Sequence, residues 1–108
     1  MLRVSFARVH PGKVDKLRSW LTELMERRSE VLESFVQEGA LQEQAYLVPD
    51  SEGFLLVYVM DARDTERARA VYQASTLPID VQHRALLAEC LAERLRLSPS
   101  YSCSVTER

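Results

Sequence analysis

The chain has 108 residues, 46% hydrophobic and 28% charged, with 14 Lys plus Arg against 16 Asp plus Glu for a net charge of -2. That length holds one hydrophobic core rather than two, because the fraction of surface a chain can bury falls as it shortens, and the apolar content excludes a disordered tail. No basic run or field of one sign points to nucleic acid or an anionic bilayer, and no signal-like segment or run of about 18 apolar residues points to a membrane.

Residues 2–9 alternate Leu2, Val4 and Phe6 with Arg3 and Ser5, which predicts a first strand. After His10-Pro11-Gly12, the apolar positions Val14, Leu17, Leu21, Leu24, Val31 and Phe35 keep helical spacing to Glu38, and Gly39 supplies a stop. A straight helix of about 25 residues would run about 37 Å, whereas a strand of eight residues underlies only roughly 27 Å. The polar break Arg27-Arg28-Ser29 therefore predicts a bend or a division into two helices.

Residues 41–48 predict a second strand, Pro49-Asp50-Ser51-Glu52-Gly53 a turn of five residues, and residues 54–60 a third strand, closing an antiparallel hairpin. In the third strand Leu55, Val57 and Val59 point one way, and Phe54, Leu56, Tyr58 and Met60 the other, so both faces are apolar. Residues 61–64 lead into a short helix over 65–75 that Leu77-Pro78 ends, and Asp80 then stands where the N-cap of another helix is wanted. That helix carries Leu86, Leu87, Cys90, Leu91 and Leu95 at helical spacing. Beyond Ser98-Pro99-Ser100, Tyr101, Cys103 and Val105 alternate with Ser102, Ser104 and Thr106 and predict a modest edge strand.

The order strand, helix, strand, strand, helices, strand is that of an α+β, ferredoxin-like split βαβ sandwich: a four-stranded antiparallel sheet with helices on one face. Helices on one face leave the other apolar row of the third strand uncovered. At roughly 25 cal/mol per Å², leaving three or four large side chains in water forgoes several kcal/mol, so a homodimer joined through the sheet face is expected, a closed two-fold pair being the commonest assembly. A monomer that folds its own long helix or C-terminal tail over that face is the alternative.

The stretch Arg8-Val9-His10-Pro11-Gly12-Lys13-Val14, the helix with Trp20 and Leu21, and the segment Gln82-His83-Arg84-Ala85-Leu86-Leu87 resemble a family of small uncharacterised bacterial proteins. That family is similar in architecture to the dimeric α/β-barrel superfamily, and the resemblance covers most of residues 2–95. It implies a dimer with ligand pockets between sheet and helices, in a superfamily that includes cofactor-less monooxygenases acting on polyphenolic substrates, isomerase-like proteins and haem-binding relatives. The long first helical segment and the additional helix before the last strand depart from the simplest pattern and would fill part of such a cleft.

Three residues are candidates for catalysis or ligand binding. His83 shares a helix face with Leu87 and Cys90, and its ordinary pKa near neutrality suits a general base; as a structural residue it would be satisfied by a backbone carbonyl or a carboxylate. His10 ends the first strand, at a cleft mouth or a helix start. Arg8 would stabilise negative charge, or pair with Glu43 or Glu89. A ring of Trp20, Tyr46, Tyr58, Tyr72 and Tyr101 would suit an aromatic ligand, although Tyr58 would equally suit a dimer-facing strand.

No cofactor or metal is expected. The two histidines are distant in sequence, neither cysteine stands in a ligand frame, and Gly12, Gly39 and Gly53 are isolated rather than grouped in a phosphate loop. Cys90 and Cys103 read as reduced thiols of a cytoplasmic protein. The function expected is a dimeric small-molecule-binding or accessory protein for a small apolar or aromatic ligand. The alternatives are a cofactor-less monooxygenase or isomerase, and a purely structural or interaction module.

Overall fold

The computed structural model describes residues 1–105. Its elements are β1 (Leu2–Arg8), α1 (Val14–Glu26), α2 (Arg28–Glu38), β2 (Ala40–Asp50), β3 (Gly53–Ala62), α3 (Thr65–Ala74), α4 (Pro78–Cys90) and β4 (Leu95–Leu97). The four strands form one sheet in the order β2-β3-β1-β4 with every pairing antiparallel, and the helices pack on one face, which is the ferredoxin-like arrangement.

The long helical segment divides at Arg27, the interruption expected from its polar run. Arg27 leaves helical geometry (φ -100°, ψ 41°) while its amide still donates to the Glu23 carbonyl, and its side chain bonds Glu23 behind it and Glu30 ahead. Gly39 ends α2 at φ 72°, a left-handed geometry that a residue without Cβ adopts cheaply. The β2–β3 hairpin is tighter than its composition suggests. Asp50 pairs with Gly53, so only Ser51 and Glu52 turn the chain, and Asp50 Oδ1 accepts the Glu52 amide at 2.9 Å. Pro49 is tolerated inside β2 because β2 is an edge strand with one paired side.

Three expectations fail at the C-terminal end. Asp80 is not an N-cap: Pro78 takes the first helical position and Leu77 precedes it, so the helix starts earlier and Asp80 turns inward. The helix also stops at Cys90 rather than Leu95, because its end exchanges helical bonds for bonds to the end of β1. The His10 amide donates to the Cys90 carbonyl at 2.8 Å, and the Ala92 amide donates to the Arg8 carbonyl at 2.9 Å. Chain thus delivered beside β1 pairs at once, so the last strand is Leu95–Leu97 and not the stretch that begins at Tyr101. Tyr101 and Val105 lie exposed outside any strand, and Thr106, the last residue of the expected strand, lies outside the described residues.

Strand alternation gives the sheet two faces of different character. Toward the helices point Ala7 of β1, Val9 just beyond it, and Leu56 and Tyr58 of β3, which form the core with Leu17, Leu87, Cys90 and Leu91. The register places Leu2, Val4, Phe6, Leu55, Val57, Val59, Tyr46, Val48, Leu95 and Leu97 on the opposite face, half-buried or exposed. Of the two apolar rows of β3, it is the Leu55 row that no helix covers. Tyr58 belongs to the covered row and is not on the outward face.

Candidate functional site

Among the described residues, a hollow of about 700 Å³ lies between the inner sheet face and the helices. Its floor comes from Tyr58 and Met60 of β3, Arg3 and Ser5 of β1 and Glu43 of β2, which the strand register sets side by side. Its roof includes His83 and Leu87 of α4 and Tyr72 of α3. A second, more apolar hollow of about 670 Å³ adjoins it under α1 and α2 and shares the wall of Leu24, Val31, Phe35 and Tyr58. The long first helical segment and the additional helix therefore line the cleft and do not fill it.

His83 is buried at the centre of three aromatic rings. The Trp20 ring stacks on it, while Tyr58 and Tyr72 meet it edge-on, each with its centroid 5.9 Å from the imidazole. Trp20 Nε1 donates to His83 Nδ1 at 2.7 Å, and Tyr58 Oη lies 2.9 Å from Nε2. An indole N–H can only donate, so Nδ1 must be the acceptor nitrogen, and the neutral ring carries its proton on Nε2. Nε2–H then donates to Tyr58 Oη, which leaves the Tyr58 hydroxyl hydrogen to point elsewhere. The partners that satisfy His83 are thus two aromatic side chains, and neither a backbone carbonyl nor a carboxylate. Burial, aided by the Arg94 guanidinium, lowers the His83 pKa to about 4.

Each of the three rings also carries an arginine on its face: Arg27 over Trp20 at 5.9 Å, Arg84 over Tyr72 at 5.6 Å and Arg94 over Tyr58 at 5.0 Å. Arg84 is fixed by the carbonyls of Tyr72 and Ser75 at the end of α3. Arg94 makes no hydrogen bond or ion pair among the described residues. The Tyr72 hydroxyl is buried and has no hydrogen-bond partner among them, and burial raises the pKa of both tyrosines.

Acidic groups occupy the α2 side of the hollow. Ser34 Oγ lies 2.7 Å from both Glu38 Oε1 and Asp80 Oδ1, and Ser75 Oγ donates to Asp80 Oδ2 at 2.6 Å. One serine hydrogen cannot serve two carboxylates, so one of them must itself carry a proton. Glu38 is that group, since burial pushes its pKa up to about 7, against the Ser34 hydrogen bond and with the help of Asp80. Burial likewise pushes half-buried Glu43 up to about 7, with Glu38 adding to the shift and Arg94 opposing it.

Of the three candidates from the sequence, the structure brings only His83 to this hollow. Arg8 lies on the opposite sheet face, where it forms a two-pronged pair with Asp50 at 2.8 Å and reaches Glu52 at 3.5 Å; its partner is neither Glu43 nor Glu89. Glu89 instead binds Lys13 and Lys16. His10 is exposed at the chain reversal after β1, where its backbone bonds Cys90 and Lys13. Tyr46 and Tyr101 are exposed away from the ring of aromatics. Among the described residues no group of three His, Cys, Asp or Glu is placed to hold a metal, both cysteines are free, and no helix is long and apolar enough to cross a membrane. Sequence reading gave Glu43 only as a partner for Arg8 and passed over Glu38 and Arg94; the register of Glu43 on β2, on the same face as Ala45 and Leu47, is the one sign that could have placed any of them inward.

The family described as "Family of unknown function (DUF6176)" matches residues 2–107. No curated protein matches the chain. Among solved structures, Rv0793 from Mycobacterium tuberculosis is similar at 19% identity and TM-score 0.55, over 95% of this chain and 97% of that one. A conserved protein from Methanosarcina mazei Go1 is 20% identical with TM-score 0.57, over 89% and 87%. A Nitrosomonas europaea protein named as a candidate antibiotic biosynthesis monooxygenase is 14% identical with TM-score 0.56, over 93% and 98%. At these identities the likeness establishes the fold alone.

Proposed function

We propose that this chain, which belongs to the DUF6176 family of unknown function, binds a small apolar or aromatic molecule in the hollow between sheet and helices without transforming it, and does so as a homodimer. The observation that carries the reading is the buried Tyr72 hydroxyl, left without a partner in a hollow of about 700 Å³. A buried hydroxyl without a partner costs roughly 1–3 kcal/mol, which a ligand atom would relieve, and ligand sites commonly span about 300–1,000 Å³. The dimer is supported by the outward apolar row of Phe6, Leu55, Val57 and Val59, which no helix covers.

The test is a fragment screen followed by the side-chain resonances of Tyr58, Tyr72 and His83. Fragments that bind should shift all three; a screen in which none moves them would rule the hollow out as a ligand site. An oxygenase or isomerase is the second reading, favoured by the fold and by the name of the Nitrosomonas relative. In that reading the group facing substrate is the Tyr58 hydroxyl, since both His83 nitrogens are engaged and His83 acts by fixing Tyr58. Turnover of an aromatic substrate that falls in Tyr58→Phe would favour it, and turnover unaffected by that change would count against it. The roles once assigned to Arg8 and His10 gain no support from their positions outside the hollow.

A further inference from the structure

We propose that the ligand is a small organic acid, with an apolar or aromatic body in the Leu24–Val31–Phe35 wall and a carboxylate held by Tyr58, Tyr72 and Arg94. This rests on the reading of the hollow as a ligand site and names what fills it.

The argument begins with what the site lacks. Tyr58 Oη already accepts from His83, so its own hydrogen is still to be donated, and no described residue accepts it. The Tyr72 hydroxyl is unpartnered. Arg94 stands over the Tyr58 ring at 5.0 Å and forms no ion pair among the described residues, although Glu43 is near enough to feel its charge. These three donors belong to one neighbourhood, because both tyrosine rings pack on the same imidazole. What complements three donors on the wall of one hollow is an acceptor with two oxygens and negative charge.

The charge around the hollow agrees. Five arginines line it: Arg3, Arg69, Arg84, Arg94 and Arg96. Four carboxylates line it too: Glu66 is shared by Arg3 and Arg96, Glu38 and Asp80 are bound to serines, and Glu43, pushed up to about 7 by burial, makes no ion pair, so neither Arg69 nor Arg94 forms one among the described residues. A monoanion suits the one guanidinium that stands beside the two neutral hydroxyls better than a phosphate dianion does. The apolar wall shared by the two hollows supplies a place for a hydrocarbon body several carbons long.

The experiment compares 4-phenylbutyrate with 4-phenylbutyramide by calorimetry, with tyrosine-labelled spectra to locate binding. The acid should bind at least about tenfold more tightly than the amide, the scale of one charge-assisted hydrogen bond, and should shift Tyr58 and Tyr72. Arg94→Gln and Tyr72→Phe should each weaken the acid about five- to tenfold and the amide, whose neutral carbonyl accepts more weakly, by clearly less. Neither variant should lower the unfolding midpoint, because Arg94 is exposed and the lost Tyr72 hydroxyl bonds nothing. An amide that binds in the hollow as tightly as the acid, or an acid preference that survives both substitutions, would overturn the proposal while leaving the ligand site standing. If neither compound moves the two tyrosines, the ligand site falls with it.

Discussion

The Trp20 indole and the His83 imidazole are stacked with 29° between their planes, and the 2.7 Å bond from Trp20 Nε1 to His83 Nδ1 fixes where the histidine proton sits. That single donor turns His83 from a potential base into a hydrogen-bond donor toward Tyr58. Nitrogen-15 spectra should show unprotonated Nδ1 and protonated Nε2 from pH 5 to 8, with titration only toward about pH 4. A protonated Nδ1 in that range would contradict the assignment.

The two tyrosines should behave oppositely on loss of their hydroxyls. Tyr58→Phe strands the buried His83 Nε2–H and should destabilise the fold by about 1–3 kcal/mol. Tyr72→Phe removes a group that bonds nothing and should be neutral or slightly stabilising. Denaturant unfolding of the two variants measures the contrast.

Glu38 should make stability fall as pH rises. Its folded pKa, about 7, lies above the ordinary 4.5, so the folded state holds a proton that the unfolded state has released. Its contribution is full below pH 4.5 and is lost as pH climbs through 7, by about 3 kcal/mol in total at about 1.4 kcal/mol per pH step. His83 works in the other direction: its folded pKa, about 4, lies below 6.5, so its contribution is full above pH 6.5 and is lost as pH falls toward 4. In the wild type Glu43, raised in the same way, adds to the Glu38 slope, and the His83 slope offsets part of their sum. Glu38→Gln separates them, and relative to wild type it should gain stability steadily between pH 4.5 and 7. A difference that does not change with pH would refute the shared-proton account.

Val57 stands at the middle of the outward face, opposite Phe6 on one side and Tyr46 on the other. Val57→Lys should convert the proposed dimer to a folded monomer in sedimentation velocity with unchanged circular dichroism. Wild-type protein sedimenting as a monomer at micromolar concentration would exclude the proposed assembly.

Gly39→Ala tests a turn where only the backbone is at stake. A Cβ there meets nothing within 4 Å, so the cost is that of a side chain at φ 72°, about 1–2 kcal/mol. Thermal unfolding should report a correspondingly lower midpoint.

Most of the architecture was legible because it rests on local pattern. The Arg27 break and the Gly39 stop are visible in spacing and residue type, and so are the two apolar faces of β3. What escaped depended on contacts distant in sequence. The end of α4 is set by Arg8 and His10, some 80 positions earlier, and without that pairing Leu91 and Leu95 read as two more helical positions. Asp80 read as a cap because a carboxylate near a helix start commonly is one; Ser34 and Ser75 draw it inward instead. The importance of His83 was visible, but its role depends on Trp20, 63 residues away.

Strand β3 carries two messages on alternate letters. Its even-numbered side chains from Leu56 to Met60 shape the chamber beneath the helices, and its odd-numbered ones from Leu55 to Val59 shape the outer surface. Substitutions can therefore retune one without disturbing the other, whereas inserting or deleting a single residue would exchange them, sending Tyr58 outward and a valine under His83. Lineages descended from this sequence should vary freely in letter at these places and almost never in length.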